Sequence, residues 1–455
     1  MLKPTGRRSR HVGVVSAVVL VVAGAALAGG SPAAVGAETD GTTSRVSVSS
    51  TGTQSDGVST ERPAFSTDGR FVAFINYGST LVTGDTNNAP DVFVRDRTAG
   101  TTTRVSVSSD EGQSGGPNAL IFSVAISADG RYVAFSSGME GLVPGDTNEE
   151  TDVFVRDRTT GTTRRVSVSS SQRQGNGEAL SVSISADGRY VAYASRASNL
   201  VSGDTNGLAD VFVRDRSAAT TRRVSVSSNQ RQANGSSFDP ALSEDGTHVA
   251  FRSTASNLVS GDTNGGEDVF IRYRPTSATR RISVSSNETQ TPRGTEPTRP
   301  VPAISAGGRY VAFHSTASNL ASGDTNGDGT DVFVRDRVAG TTQRVSMSND
   351  EAQGNSGGAD PSISSDGQRV AFNSGASGLV PGDTNGWADV FVRDRVAGTT
   401  SRVSVSSDGA QGDNESRLSA ISGDGGHVAF TSPASNLVPG DTNGQQDTFV
   451  RDFAP

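Results

Sequence analysis

The chain has 455 residues and a formal net charge of −8, with 40 Lys and Arg against 48 Asp and Glu. That acidic balance argues against nucleic acid or an anionic membrane as partner. The absence of cysteine excludes disulfides, zinc–thiolate sites and a lipidated cysteine anchor.

The first element is a leader. Lys3, Arg7, Arg8 and Arg10 precede an uncharged Val/Ala/Gly-rich run from Val12 to Gly30, and small residues follow as far as Ala37. A basic head, an apolar body and a small-x-small exit read as a secretory signal peptide over residues 1–37. Ala37 is the expected cleavage point, with Ala28 and Ala34 as alternatives; an uncleaved anchor is the rival, because the run is about long enough to span a bilayer. Arg7-Arg8 leaves general secretory and twin-arginine export both open. Residues 38–43 read as a short linker. The leader carries four positive charges and no acid, so the mature chain has 36 basic and 48 acidic residues, a net charge of −12. The expected destination is outside the cell or in its envelope, with no membrane span once the leader is removed.

From residue 44 onward the chain repeats itself. Gly-Asp-Thr-Asn places its Asp at Asp85, Asp146, Asp204, Asp262, Asp324, Asp383 and Asp441, seven copies spaced by 58 to 62 residues. In the second copy, "FSVAIS" (Phe122–Ser127) reads as a strand, "ADG" as a tight turn needing positive φ, and "RYVAFS" (Arg131–Ser136) as a second strand. A longer loop holds Asp146. "DVFVRDR" (Asp152–Arg158) is a third strand, and "RRVSVSS" (Arg164–Ser170) a fourth. Ser, Thr, Val and Gly dominate, a sheet-and-turn composition. The N-terminus supplies an orphan fourth strand, "SRVSVSS" (44–50), and the C-terminus stops after a third, "DTFVRD" (447–452). Joining them completes a seventh unit and removes the open edge. The expectation is an all-β, seven-bladed β-propeller of four-stranded antiparallel blades over residues 44–455, closed by strand 44–50; a β-solenoid and an open array are the rivals.

"ISADGRYVAFSS" (Ile126–Ser137) followed by "DVFVRDR" resembles the WD40-like propeller repeat of TolB-type proteins, with its S-x-D-G-[KR]-x-[IV]-A-[FY] hairpin and D-[IV]-[FY] third strand. The resemblance covers essentially all of residues 44–455 and implies a binding scaffold of the envelope or exterior. TolB and the prolyl-oligopeptidase group carry a second domain beside the propeller. Here the repeats follow the leader almost at once, so neither a translocation nor a peptidase role carries over.

Six of the Asp-Thr-Asn loops read D-x-N-x-x-x-D, as in Asp85, Asn87 and Asp91. The fifth copy is longer and richer: Asp324, Asn326, Asp328 and Asp331. Alternating oxygen donors on a tight turn suit Ca²⁺, and that loop resembles the D-x-[DN]-x-D-G calcium loops. The other reading is that each Asp and Asn caps its own turn. Gln54, Gln113, Gln174, Gln232, Gln290, Gln353 and Gln411 recur after each fourth strand and read as joints between neighbouring blades. The Arg-Asp pair of the third strand reads as structural, its two side chains facing opposite ways; Arg272-Tyr273 is the exception.

Candidate ligand contacts are the residues that vary among copies. Trp387 stands where other copies have Leu208 or Gln445; it either stacks on a ligand or packs on the next loop. Arg173, Arg231 and Arg293 stand in the inter-blade segments of three successive blades. "GQSGGP" (Gly112–Pro117) and "GNSGG" (Gly354–Gly358) look like a serine-nucleophile segment, but no positioned base accompanies them. His248 and His427 occupy the slot filled elsewhere by Tyr132, Tyr190 and Tyr310, and His314 follows "VAF". The functional expectation is a secreted, monomeric, non-enzymatic scaffold that binds a protein, peptide or glycan on its loop-rich face, with calcium ordering some loops. The alternatives are an extracellular hydrolase or lyase using loop carboxylates, and a purely structural envelope protein.

Overall fold

A computed structural model describes residues 41–453 except 117–118, 293–298 and 328. The leader 1–37 therefore lies outside the described residues. The described chain forms seven four-stranded antiparallel sheets. First strands of neighbouring blades touch all the way round, including the last against the first, and so form the inner ring around an axial channel. The propeller expectation holds.

Blade 2 shows how the repeat becomes a blade. Its strands are Ile121–Ile126, Tyr132–Ser137, Asp152–Asp157 and Thr162–Arg165. Alternate residues of the middle strands face opposite sides of the sheet, and both sides are covered by a neighbouring blade. Phe135 lies opposite Phe154 in register, with ring centroids 5.8 Å apart. The same Phe or Tyr pair recurs in every blade. The core is laminar: Val92 and Val94 of blade 1 pack with Val124, Val133 and Phe135 of blade 2.

The fourth strands are shorter than their alternation predicts. They end at the arginine, as at Arg165, because a serine hydroxyl then takes over the ladder. Ser167 Oγ accepts from the Val153 amide at 3.1 Å and donates to Asp152. The chain beyond folds into a small hairpin of its own, with Val168 bridged to Gln174. The closing strand obeys the same rule. It is Gly41–Arg45, paired with Asp447–Phe453, so it begins in the expected linker and stops well short of residue 50.

A second closure lies at the opposite face. Each first hairpin turn donates a backbone hydrogen bond to the next: Thr67 to Ala128, Ala128 to Ala186, Ala186 to Glu244, Glu244 to Ala306, Ala306 to Ser365 and Ser365 to Gly423, at 2.8–3.1 Å. Asp424 N donates back to Thr67 O at 3.0 Å. The turn glycines serve two ends. Gly130 has φ +72°, and an added Cβ would lie 2.2 Å from the Phe71 ring of the preceding blade. That ring is also covered by Arg70 and Arg158, each 4.7 Å from its centroid. Tyr132 is sandwiched between Arg131 and Arg216, and Tyr190 between Arg189 and Arg274. These plugs interlock the blades.

Candidate functional site

The Asp-Thr-Asn loops and the inter-blade hairpins meet on one face, as the repeat implies. In blade 1, Gln113 Nε2 donates to Asp85 at 2.8 Å, and its Oε1 accepts from the Thr86 amide and hydroxyl. Asn87 donates to the Ser114 carbonyl at 2.8 Å, and its own Oδ1 accepts from Ala89 N. The glutamine therefore ties the inter-blade hairpin to the loop of the blade it leaves, not to the next blade. The neighbour is gripped instead by the third-strand arginine. Arg214 Nη1 donates to the Ser169 carbonyl of blade 2 at 3.1 Å, while Asp215 accepts two bonds from Arg189 of its own blade.

One partner of these loops is absent from the sequence reading: the last arginine of each fourth strand. Arg104 Nη1 lies 3.2 Å from Asp85 and 3.5 Å from Asp91. Arg45, Arg165, Arg223, Arg281, Arg344 and Arg402 repeat the arrangement in the other blades. The signal was present, since this arginine recurs in every copy as faithfully as the aspartates it serves. A guanidinium thus stands between the two carboxylates where a bound cation would stand. Burial pushes Asp91 up to about 6, against the pull of the Ser106 hydroxyl and Arg104. Burial raises Asp152, Asp268, Asp331, Asp389 and Asp447 likewise.

The fifth loop departs from this pattern. Asp324 and Asp331 accept from Gln353 Nε2 at 3.1 and 2.6 Å. Arg344 reaches them at 3.5 and 3.2 Å by charge, and its Nε and Nη2 are buried without a hydrogen bond. Both side-chain polar atoms of Asn326 also lack one. Asp328 lies outside the described residues. Among the described residues no group of three or more His, Cys, Asp or Glu is arranged to hold a metal.

Trp387 is exposed at 47%, held by its amide on Asn385 Oδ1 at 3.0 Å. Arg173 and Arg231 are exposed; Arg293 lies outside the described residues. Ser114 of the first protease-like string donates to the Glu140 carbonyl rather than to a base. His427 Nδ1 sits 2.6 Å from Asp452, and His248 stacks on Tyr273 at 4.6 Å. His314 is buried, and its Nδ1 accepts from Asp360 N at 3.3 Å.

The inner strands hold a further set of charges. Each described first strand of blades 1–4, 6 and 7 is interrupted by a bulge, and bulges re-aim side chains. Glu61, Asp239, Asp360 and Leu418 take φ values of 50–56° there, a conformation that costs a non-glycine residue free energy. Arg62 spans two blades, donating to the Pro361 carbonyl at 3.2 Å and lying 3.7 Å from Asp360. Arg252 is clasped by Asp239 and Glu267. Glu61 is reached by solvent, burial by surrounding protein raises its carboxyl, and it has no partner among the described residues.

No family model and no curated protein matches the sequence. Solved structures do match. An oligogalacturonate lyase from Vibrio parahaemolyticus aligns with a TM-score of 0.54 and 12% identity, over 90% of this chain and 93% of that one. The likeness is one of fold alone. The β-propeller domain of the Trilobed protease from Pyrococcus furiosus gives a TM-score of 0.51 and 10% identity, over 88% and 98% of the two chains. That domain is described as having an open velcro topology; here the terminal strands pair. TolB from Acinetobacter baumannii aligns with a TM-score of 0.39 and 14% identity, over 80% and 76%. The TolB-type resemblance of the repeat stands as a resemblance of propellers.

Proposed function

We propose that this propeller is a secreted, non-enzymatic scaffold that binds a protein, peptide or glycan on the face of its Asp-Thr-Asn loops. The observation that carries the reading is Trp387, an exposed indole on a face whose repeated polar groups already satisfy one another. The test is a peptide and glycan array probed with the native chain and with Trp387→Ala. A ligand lost from the variant supports the reading; ligands retained undiminished refute it.

Calcium belongs in this reading to one loop. The Asp324 loop is the richest in acid and its Asn326 is unpaired, so calcium would have to displace the contacts of Arg344 and Gln353 to Asp324 and Asp331. Asp324, Asn326, Asp328 and Asp331 are the assigned ligands. A ligand that binds only the folded state raises the melting midpoint. Millimolar CaCl₂ is expected to raise it relative to EDTA, MgCl₂ is not, and Asp328→Ala removes the rise. An unshifted midpoint returns the loop to turn chemistry.

The channel charges favour a second reading, a hydrolase or lyase. Glu61 is an unpartnered, raised carboxyl near the Arg62–Asp360 pair. Turnover of an oligosaccharide or peptide that disappears in Glu61→Gln would establish it over the scaffold reading.

A further inference from the structure

The outer wall of the ring carries a feature that the loop face does not need. Between neighbouring blades a groove runs from the fourth strand of one to the third-strand end of the next. The groove between blades 2 and 3 has a volume of about 440 Å³ and is lined by Arg164, Arg214 and Arg216. The groove between blades 4 and 5, about 490 Å³, has Arg280, Arg335 and Arg337 in the same places.

Most of the charge there is already matched. Arg214 bonds the Ser169 carbonyl and Gln172, and Arg335 the Ser285 carbonyl and Glu288. Asp157, the acid of the first groove, is held by Arg131. Two arginines in each groove are not matched. Arg164 and Arg280 are exposed and have no partner among the described residues. Arg216 and Arg337, half-buried beside them, donate only to turn carbonyls, those of Gly188 and Gly308. The groove between blades 3 and 4 repeats the pair as Arg222 and Arg274. Burial lowers Arg216, Arg274 and Arg337; Asp157 and Asp215 pull the first two back up in part, and the like charge of Arg164, Arg222 and Arg280 lowers all three further.

The next groove supplies the control. Opposite the same third-strand position stands Gln343, whose Oε1 accepts from Arg395 Nη2 at 2.9 Å. There the protein provides the acceptor itself. The remaining blades carry Thr103, Ser401 and Ser44 at this register. Unanswered arginine pairs therefore fall on three consecutive grooves and nowhere else among the described residues.

We infer that the outer wall from blade 2 to blade 5 binds an acidic polysaccharide, whose successive carboxylate or sulfate groups occupy the place that Gln343 Oε1 holds beside Arg395. A polymer is called for because the pairs recur at equivalent places along the wall. Nucleic acid fits less well. Tyr132 and Tyr190, the aromatics beside the grooves, have arginine on both faces and cannot stack on bases. This surface lies apart from Trp387 and stands or falls separately from the loop-face reading.

The test is titration calorimetry of the full chain at low salt with alginate, dextran sulfate and uncharged dextran. One or both acidic polymers bind and dextran does not; which of the two binds tells carboxylate from sulfate. The combined variant R164Q/R222Q/R280Q copies the glutamine that the fold already accepts at Gln343. It is expected to lose at least about tenfold in affinity and to show a shallower salt dependence. Q343R, which adds a fourth pair, is expected to bind tighter. Trp387→Ala is expected to leave the affinity unchanged. The inference is overturned if neither acidic polymer binds, if the combined variant binds as the native chain does, or if single-stranded DNA binds more tightly than both polymers.

Discussion

The Asp-Thr-Asn loops and the inner-strand bulges are both rich in charge, and they treat it in opposite ways. In the loops each carboxylate meets an arginine, a glutamine or a hydroxyl of its own blade, and the arginine reaches both aspartates in all seven. At the bulges the residue type changes from blade to blade: Glu61 and Arg62, Phe122, Leu180, Asp239, Asp360, Leu418. Partners there are partial, and at Glu61, Asp239, Asp360 and Leu418 the backbone sits in the left-handed region. The lesson is that sameness among repeats marks chemistry consumed in holding the ring. Difference at equivalent positions marks groups left facing solvent, where a ligand can use them.

The most damaging test of that contrast is Arg104→Ala. It strands Asp85 and Asp91, two carboxylates nearly closed off from solvent. Removing one partner of a buried pair costs about 3–5 kcal/mol, read as a fall in the urea midpoint at pH 7. The loss is expected to shrink at pH 5. Asp91, pushed up to about 6, then takes a proton and no longer needs the guanidinium. A variant as stable as the native chain would remove the loops from the structural side of the comparison.

The bulges are expected to respond with the opposite sign. Glu61→Gly deletes an unpartnered side chain and frees a backbone held at φ 56°. Relief of that strain outweighs the added entropy of the unfolded chain, for a net gain of about 0.5–1 kcal/mol. A loss on urea titration would mean that Glu61 makes a stabilising contact after all.

The fold was legible in the sequence to a fine grain because each blade repeats turn chemistry with few alternatives. "SADGR" in blade 2 demands positive φ at Gly130, and only a glycine also lets the turn sit on Phe71. What failed was the length of the fourth strands. Alternation in "RRVSVSS" continues past Arg165, yet Ser167 faces inward to hold Asp152 rather than to pair its backbone. The calcium reading of the loops weighed spacing within seven residues and missed Arg104, thirteen residues beyond Asp91. That is the usual blind spot for a bond made through the sheet rather than along the chain. The bulges had a signal too. Pro63, Pro240 and Pro361 lie within inner strands, and proline within a strand is found at bulges and edges.

The smallest expected effect concerns blade 4, where three coupled residues replace the usual plug. In blades 1, 2, 3 and 5 an arginine bonds the third-strand aspartate, as Arg131 does Asp157. Blade 4 has Thr247 and Tyr273 in those places. His248 fills the gap by stacking on Tyr273 and bonding the Thr247 hydroxyl at 2.8 Å. Burial lowers His248 below its ordinary 6.5, and the charge of Arg337 lowers it further. The folded chain therefore binds fewer protons here than the unfolded chain, so stability rises with pH through the region just below 6.5 and falls as pH drops through it. Asp91, pushed up to about 6, works in the other direction, so the histidine's share is read as the difference in slope between the native chain and a His248 variant. His248→Tyr, the residue that blades 2, 3 and 5 use, is expected to flatten the slope of the urea midpoint between pH 6 and 7 while changing its height at pH 7 by less than about 1 kcal/mol. An unchanged slope would place the proton uptake elsewhere in the ring. It would also show that blade 4's exchange of an ion pair for a ring stack is neutral to pH.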